Sequence, residues 1–199
     1  RSVAVTGVQT CALPISPYES TSRQPQQRRN TEIMPRFIAL FVTVLALLFG
    51  IEMLKPVQTA VIHPWTSFLA WFSAQLMTVF DADVLSYGRI LQSKATGFGV
   101  SIEAGCNGIE AAIILIAGMV AFPAPWKLKL LGIAAGCVAV QAANVLRVIS
   151  LYYLGKWDKE VFDFAHLYLW QALIMLDVLA VWLLWIRAVA KRKGATLAV

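Results

Sequence analysis

Charge is scarce in this chain. Of its 199 residues 14% are charged and 59% hydrophobic, where a soluble domain has about 25% and about 45–50%. So few charges exclude an ordinary water-soluble fold. Cysteine is scarce too: Cys11, Cys106 and Cys137 make an odd count, and no two of them form a Cys-x-x-Cys pair. That excludes a disulfide framework, a zinc ribbon and a thioredoxin-type couple, and no metal or other cofactor is expected. The net charge of +6 could suggest nucleic acid. The basic residues, however, flank apolar runs, where they set membrane topology; the expected partner is a bilayer and not a nucleic acid.

A continuous apolar signal core is missing from the opening RSVAVTGVQTCALPIS. Val3-Ala4-Val5 is cut by Thr6-Gly7, and Gln9-Thr10 and Pro14 interrupt the remainder, so the stretch fails as a secretory signal. Val5 to Ser16 instead resembles the conceptual translation of a common short-read sequencing adapter. Pro17 to Asn30 is polar and without periodicity, which predicts disorder. Residues 1–33 are therefore expected to be artefactual or disordered, Met34 to be the true start, 34–190 to form the membrane domain and 191–199 a basic cytoplasmic tail.

The chain is rich in long apolar runs, each near the ~20 residues that cross a bilayer. Phe37 to Leu54 predicts a first span, with Arg28, Arg29 and Arg36 holding its start in the cytoplasm. Gly108 to Phe122 predicts a second, stopped by Pro123 and Pro125. The basic link Trp126 to Lys129 leads into a third, and Leu167 to Ile186 forms a fourth before Lys191-Arg192-Lys193. With the link and the tail both cytoplasmic, no further full crossing fits between Lys55 and Cys106. Trp65 to Phe80 then reads as an amphipathic helix at the outer interface. Its large apolar residues Trp65, Phe68, Leu69, Phe72, Leu76 and Phe80 recur at helical spacing, with Ser67, Ser73, Gln75 and Thr78 off the stripe. Arg89–Lys94 and Phe98–Glu103, separated by Ala95-Thr96-Gly97, predict a small outward hairpin. The expected fold is an all-α polytopic membrane protein with four transmembrane helices, N-in and C-in, plus that interfacial helix and hairpin-like loop.

In so apolar a chain the polar residues at span ends are the informative ones. The topology brings Cys106, Asn144, Arg147 and His166 to one outer level. Asn144 and Arg147 are three residues apart and share a helix face. A thiolate is the nucleophilic form of cysteine, and a helix N-terminus or a nearby cation lowers its pKa. Histidine can take the thiol proton and return it to a leaving amine. Arginine can donate to a developing oxyanion or hold a substrate carboxylate or carbonyl, with Asn144 orienting it or adding a donor. Asn107 beside the cysteine is a supporting or substrate-binding candidate. Glu110, one turn along from Cys106, is placed to bind Arg147 or tune the thiol.

Each of these residues also has a plainer role. A lone membrane cysteine more often packs than reacts, and an arginine near a span end can snorkel to headgroups. Cys137, about 10 Å of helical rise before Asn144, is assigned to packing. His63 is expected in a solvated loop and Glu103 in an exposed one. Asp177, about 16 Å of rise from His166, is assigned to helix packing or to contact with a substrate helix. Spacing alone leaves three classes open: a cysteine peptidase, a membrane thiol redox protein and a non-enzymatic scaffold. The missing Cys-x-x-Cys weighs against the redox class.

Three blocks narrow the choice. EAGCNGIEA around Cys106, AANVLRVISLYYL around Arg147 and FDFAHLYLWQ around His166 resemble, in order and on successive spans, the signature blocks of the exosortase/archaeosortase family. The wording and compact size are most similar to exosortase H, although longer exosortases have additional spans that this chain lacks. The resemblance implies an integral membrane cysteine transpeptidase or protease of the bacterial inner membrane, with its site on the periplasmic face. Its implied partners are exported proteins bearing a C-terminal sorting tail: a short motif of IPTL type, a transmembrane helix and a basic cluster. It further implies Cys106 as nucleophile, Arg147 as the essential arginine, His166 as the third catalytic position and Asn144 as the asparagine that commonly precedes the arginine.

Overall fold

A computed structural model describes residues 24–196, with side chains from 34 to 192. The adapter-like stretch, Cys11 and the expectations for residues 1–23 lie outside the described residues. The chain divides into two units, Arg1–Arg36 and Phe37–Val199. The described residues open on helix α1 (Gln24–Glu52), in the first unit, where the sequence predicts disorder to Asn30. Gln and Arg are good helix formers, and Pro25 stands in the first turn, where no backbone N–H is needed.

The second unit holds the rest of α1 and all the remaining elements. Leu54 is extended ahead of Pro56, and α2 (Lys55–Val57) runs through a π turn (Gln58–Ile62) into α3 (His63–Met77). His63 is therefore exposed on a helix, and not in the loop expected for it. Strands β1 (Val84–Tyr87), β2 (Ile90–Ser93) and β3 (Gly99–Ser101) form an antiparallel meander in the order β1-β2-β3. The expected hairpin is the β2–β3 pair, in which Leu91 faces Val100. The sequence reading missed β1, whose Val84 pairs with Ser93. All-α is thus corrected to helical with a three-stranded meander.

Helices α4 (Ile109–Ala121), α5 (Trp126–Trp157), α6 (Lys159–Phe164) and α7 (Trp170–Thr196) complete the chain, with a π turn (Ala165–Leu169) joining α6 to α7. The basic segment expected as a tail from 191 therefore begins as the last turns of α7. Among the described residues three helical stretches are long and apolar enough to cross a membrane: Met34–Glu52, Trp126–Trp157 and Lys159–Arg192. The second expected span is shorter. Helix α4 has 13 residues, about 20 Å at 1.5 Å per residue, against about 30 Å of hydrocarbon.

Small residues let these helices approach closely, as in membrane bundles. A Cβ on Gly136 would lie 2.6 Å from Leu115, and one on Gly118 would lie 3.1 Å from Trp182. The Trp185 indole N–H donates to the Leu128 carbonyl at 2.9 Å. Lys129 reaches back to the last turn of α4 and donates to the Val120 carbonyl at 2.6 Å, satisfying one of the carbonyls a helix end leaves free. One core joins α4, α5 and α7 around Leu115, Met119, Val140 and Trp170. A second core packs α3 and the meander on the later part of α5, around Leu69, Met77, Leu91 and Tyr152.

Helix α3 is inside out relative to a soluble helix. Thr66, Ala70, Ser73 and Ala74 are buried, while Phe68, Trp71, Phe72 and Leu76 are exposed. Of the expected apolar stripe only Leu69 is fully buried, with Trp65 partly buried against the same core. Such a face suits contact with lipid or another apolar helix and not with water. The meander is tied to α5 through Asp83, which accepts from Ser93 Oγ, from the Ala95 N–H at 2.7 Å and from Lys156 Nζ at 3.1 Å.

Candidate active site

The nucleophile loop is shaped by two glycines. Gly105 and Gly108 have φ of +82° and +73°, the left-handed region that glycine enters without a Cβ penalty. Between them Cys106 is half-buried and Asn107 fully buried. Asn107 Oδ1 accepts the Ile109 N–H at 3.0 Å, satisfying a free donor at the start of α4. Glu110 Oε1 accepts the Gly105 N–H at 2.6 Å. Glu110 therefore fixes the loop backbone, and it does not form the ion pair with Arg147 that was one of its two expected roles.

Three separate elements meet at the sulfur. Cys106 Sγ lies 3.1 Å from His166 Nε2. Arg147 Nη2 donates to the same sulfur at 3.4 Å, and its Nη1 donates to the Gly105 carbonyl at 3.3 Å. His166 projects from the π turn before α7, a local widening frequent at functional sites, and its ring stacks on Phe162 at 5.5 Å. Asp158 sets the start of that helical segment by accepting from the Glu160 and Val161 N–H groups.

Arg147 is only 4% exposed, and its Nε is buried without a partner. Among the described residues no carboxylate pairs with it. A buried guanidinium without a counter-ion is costly, so the site is primed for a ligand oxygen carrying negative charge. Asn144 is fully buried one turn away, but neither its Oδ1 nor its Nδ2 has a partner. It packs against Gly108 and does not orient Arg147: a Cβ at Gly108 would fall 3.1 Å from Asn144 Cγ. Burial pushes the Cys106 thiol above its ordinary value; Arg147 pulls it back in part, and Glu110 and Glu103 raise it further. The lowered pKa expected from a helix N-terminus and a cation is outweighed by the loss of water.

The family model for transmembrane exosortases (Exosortase_EpsH) matches residues 33–186. The chain belongs to the transmembrane exosortase family. Membership points to a multi-pass membrane transpeptidase acting on protein sorting signals. No curated protein and no solved structure matches the chain.

The remaining candidate residues take other places in this exosortase. Cys137 is half-buried on α5, about 15 Å of helical rise before Arg147, and lines apolar hollows with α3. Glu103 is exposed as expected and pairs with Arg89 at 3.0 Å. Asp177 is partly buried on α7, and its Oδ2 has no partner. The sequence reading missed two neighbours of the site. Trp65 of α3 donates to the Asn107 carbonyl at 3.4 Å, and Gln141 stands against Gly108. Gln141 had a legible signal: Gln141, Asn144 and Arg147 repeat at three-residue spacing along one apolar helix.

Proposed function

We propose that this exosortase is a membrane cysteine transpeptidase that cleaves the C-terminal sorting tail of exported proteins. The tail would consist of a short motif (IPTL-type by resemblance), an apolar helix and a basic cluster. The observation that carries the reading is the 3.1 Å approach of Cys106 Sγ to His166 Nε2, with Arg147 Nη2 at 3.4 Å from the same sulfur.

That geometry supports a sequence of steps. With the thiol held neutral by burial, attack requires a base. His166 Nε2 takes the Sγ proton as sulfur bonds to the scissile carbonyl carbon, and the carbonyl π pair moves onto oxygen. Arg147 donates to that oxyanion. Collapse re-forms the carbonyl and breaks the C–N bond, and the leaving amine takes the proton from His166. A thioester to Cys106 remains, to be opened by an acceptor amine (transfer) or by water (release). In this account the chain crosses four times, N-in and C-in, by α1, by α4 together with the segments that flank it, and by α5 and α7. The loop before α4 and the π turn lie at the outer face of the bacterial inner membrane, and α3 lies at that interface.

Co-expression with a tailed reporter protein tests the reading. Cys106→Ala is expected to abolish tail removal. His166→Ala is expected to slow it by about 10²–10⁴-fold, and Arg147→Ala by about 10²–10³-fold. Persistent tail removal by Cys106→Ala would exclude the mechanism.

A further inference from the structure

Beside the site α3 stands off from α4 and α5 and leaves an apolar groove. It comprises two hollows, ≈520 Å³ and ≈790 Å³, that share Trp65, Phe68, Cys137 and Gln141. Phe72, Leu76 and Val138 wall the first, and Ile109 and Ile116 wall the second. Gln141 is the sole amide among the residues lining either hollow, and its Oε1 is buried without a partner.

The groove runs up to the nucleophile loop. A Cβ on Gly108 would lie 2.9 Å from Gln141 Nε2 and 3.1 Å from Asn144 Cγ, so these two amides press on the backbone two residues from Cys106. Trp65, in both hollows, donates to the Asn107 carbonyl. Around Gly108 four buried amide atoms lack partners: Gln141 Oε1, Asn107 Nδ2, and Asn144 Oδ1 and Nδ2. Each such atom is held out of water with nothing to bind, which is unfavourable until a partner is supplied.

Asn107 and Asn144 lie behind the groove wall, and Gln141, the member of the cluster that lines it, decides what fills it. A lipid acyl chain suits the apolar walls but has no group to offer the Gln141 amide. An apolar peptide helix whose end unwinds into extended chain suits both. Its side chains fill the hollows, and a freed backbone N–H or C=O group reaches Gln141, which lines both. We propose that this groove seats the apolar helix of the substrate tail, with Gln141 as the residue that holds the peptide backbone where it leaves the helix toward Cys106. The proposal rests on the sorting-tail reading and adds to it a location and a positioning residue.

The test uses the full-length membrane protein and a co-expressed reporter ending in a candidate motif, an apolar helix and a basic cluster. A photo-crosslinking phenylalanine analogue at position 72, in a Cys106→Ala background, is expected to capture the reporter's apolar helix. Ala142→Trp, which fills the first hollow, is expected to erase that crosslink. In the active enzyme the same change is expected to slow tail removal by about tenfold or more. Gln141→Met, which keeps the length but removes the amide, is expected to slow it by about three- to tenfold. In both variants alkylation of Cys106 by iodoacetamide should stay within about twofold of the parent rate, because the thiol's immediate partners are untouched. Full-rate processing by Ala142→Trp with no crosslink at position 72 would overturn the proposal and leave the groove to lipid. Loss of alkylation together with processing would make Gln141 a structural support of the loop and equally overturn its assigned role. Tail removal by Cys106→Ala alone would instead sink the parent mechanism, whatever the crosslink shows.

Discussion

At Cys106 two effects compete for one sulfur. Burial withdraws water and favours the neutral thiol, while the Arg147 guanidinium at 3.4 Å favours the thiolate. Burial prevails, and in the proposed mechanism His166, at 3.1 Å, therefore serves as the base. The consequence is measurable as the pH dependence of Cys106 alkylation. In the parent protein the rate is expected to rise through a midpoint above the ordinary thiol range. Arg147→Ala is expected to move that midpoint further up, since the one cation favouring the thiolate is gone. A midpoint near neutrality would mean a preformed thiolate and contradict the account. The trio itself was legible in the sequence, because a thiol, a guanidinium and an imidazole are conspicuous at the ends of apolar runs. The surroundings of Asn107, Asn144 and Glu110 were not legible. Whether an amide faces an arginine or a glycine depends on about one turn of rotation, which spacing cannot fix.

Among the elements, the meander is the part that departs most from an all-helical reading. Its strands are three or four residues long, too short for alternation to stand out, and β1 gains its identity from pairing with β2. Its attachment runs through Asp83, held down to about 2 by the Ser93 hydroxyl first, then by Lys156 and by the Ala95 N–H. A carboxylate lowered from 3.8 contributes stability in full above that value and loses it as pH falls toward 2. Limited proteolysis of the full chain in detergent should therefore find the meander protected at pH 4 and progressively cut as pH approaches 2. Asp83→Asn should be cut already at pH 4. Equal protection of the two proteins at pH 4 would show that Asp83 does not hold the meander to α5. The apolar stripe of α3 was visible in sequence, but its direction was not. Periodicity reports that a helix has two faces, and only the medium decides which face turns inward.

Taken whole, the chain puts its chemistry where a short helix meets long ones. Helix α4 spans 13 residues between two helical stretches of more than thirty, and the loop before it carries Cys106 to a histidine sixty positions on and an arginine forty-one on. The order of the apolar runs was plain from composition. The brevity of α4 was not, because Gly108 and the prolines at 123 and 125 bound a run whose hydropathy alone resembles a full span. In the proposed topology the loop lies at the interface, and a site assembled from it and two membrane helices suits a substrate that is itself anchored in the bilayer. The central claim is that this site forms a thioester with such a substrate, and the intact mass of the purified full-length enzyme tests it most directly. After co-expression with a tailed reporter, the account predicts a fraction of enzyme heavier by the mass of the reporter's amino-terminal fragment. That adduct should be released by hydroxylamine and be absent in Cys106→Ala. Reporter cleaved at the tail with no hydroxylamine-sensitive adduct, or an adduct that survives in Cys106→Ala, would contradict it.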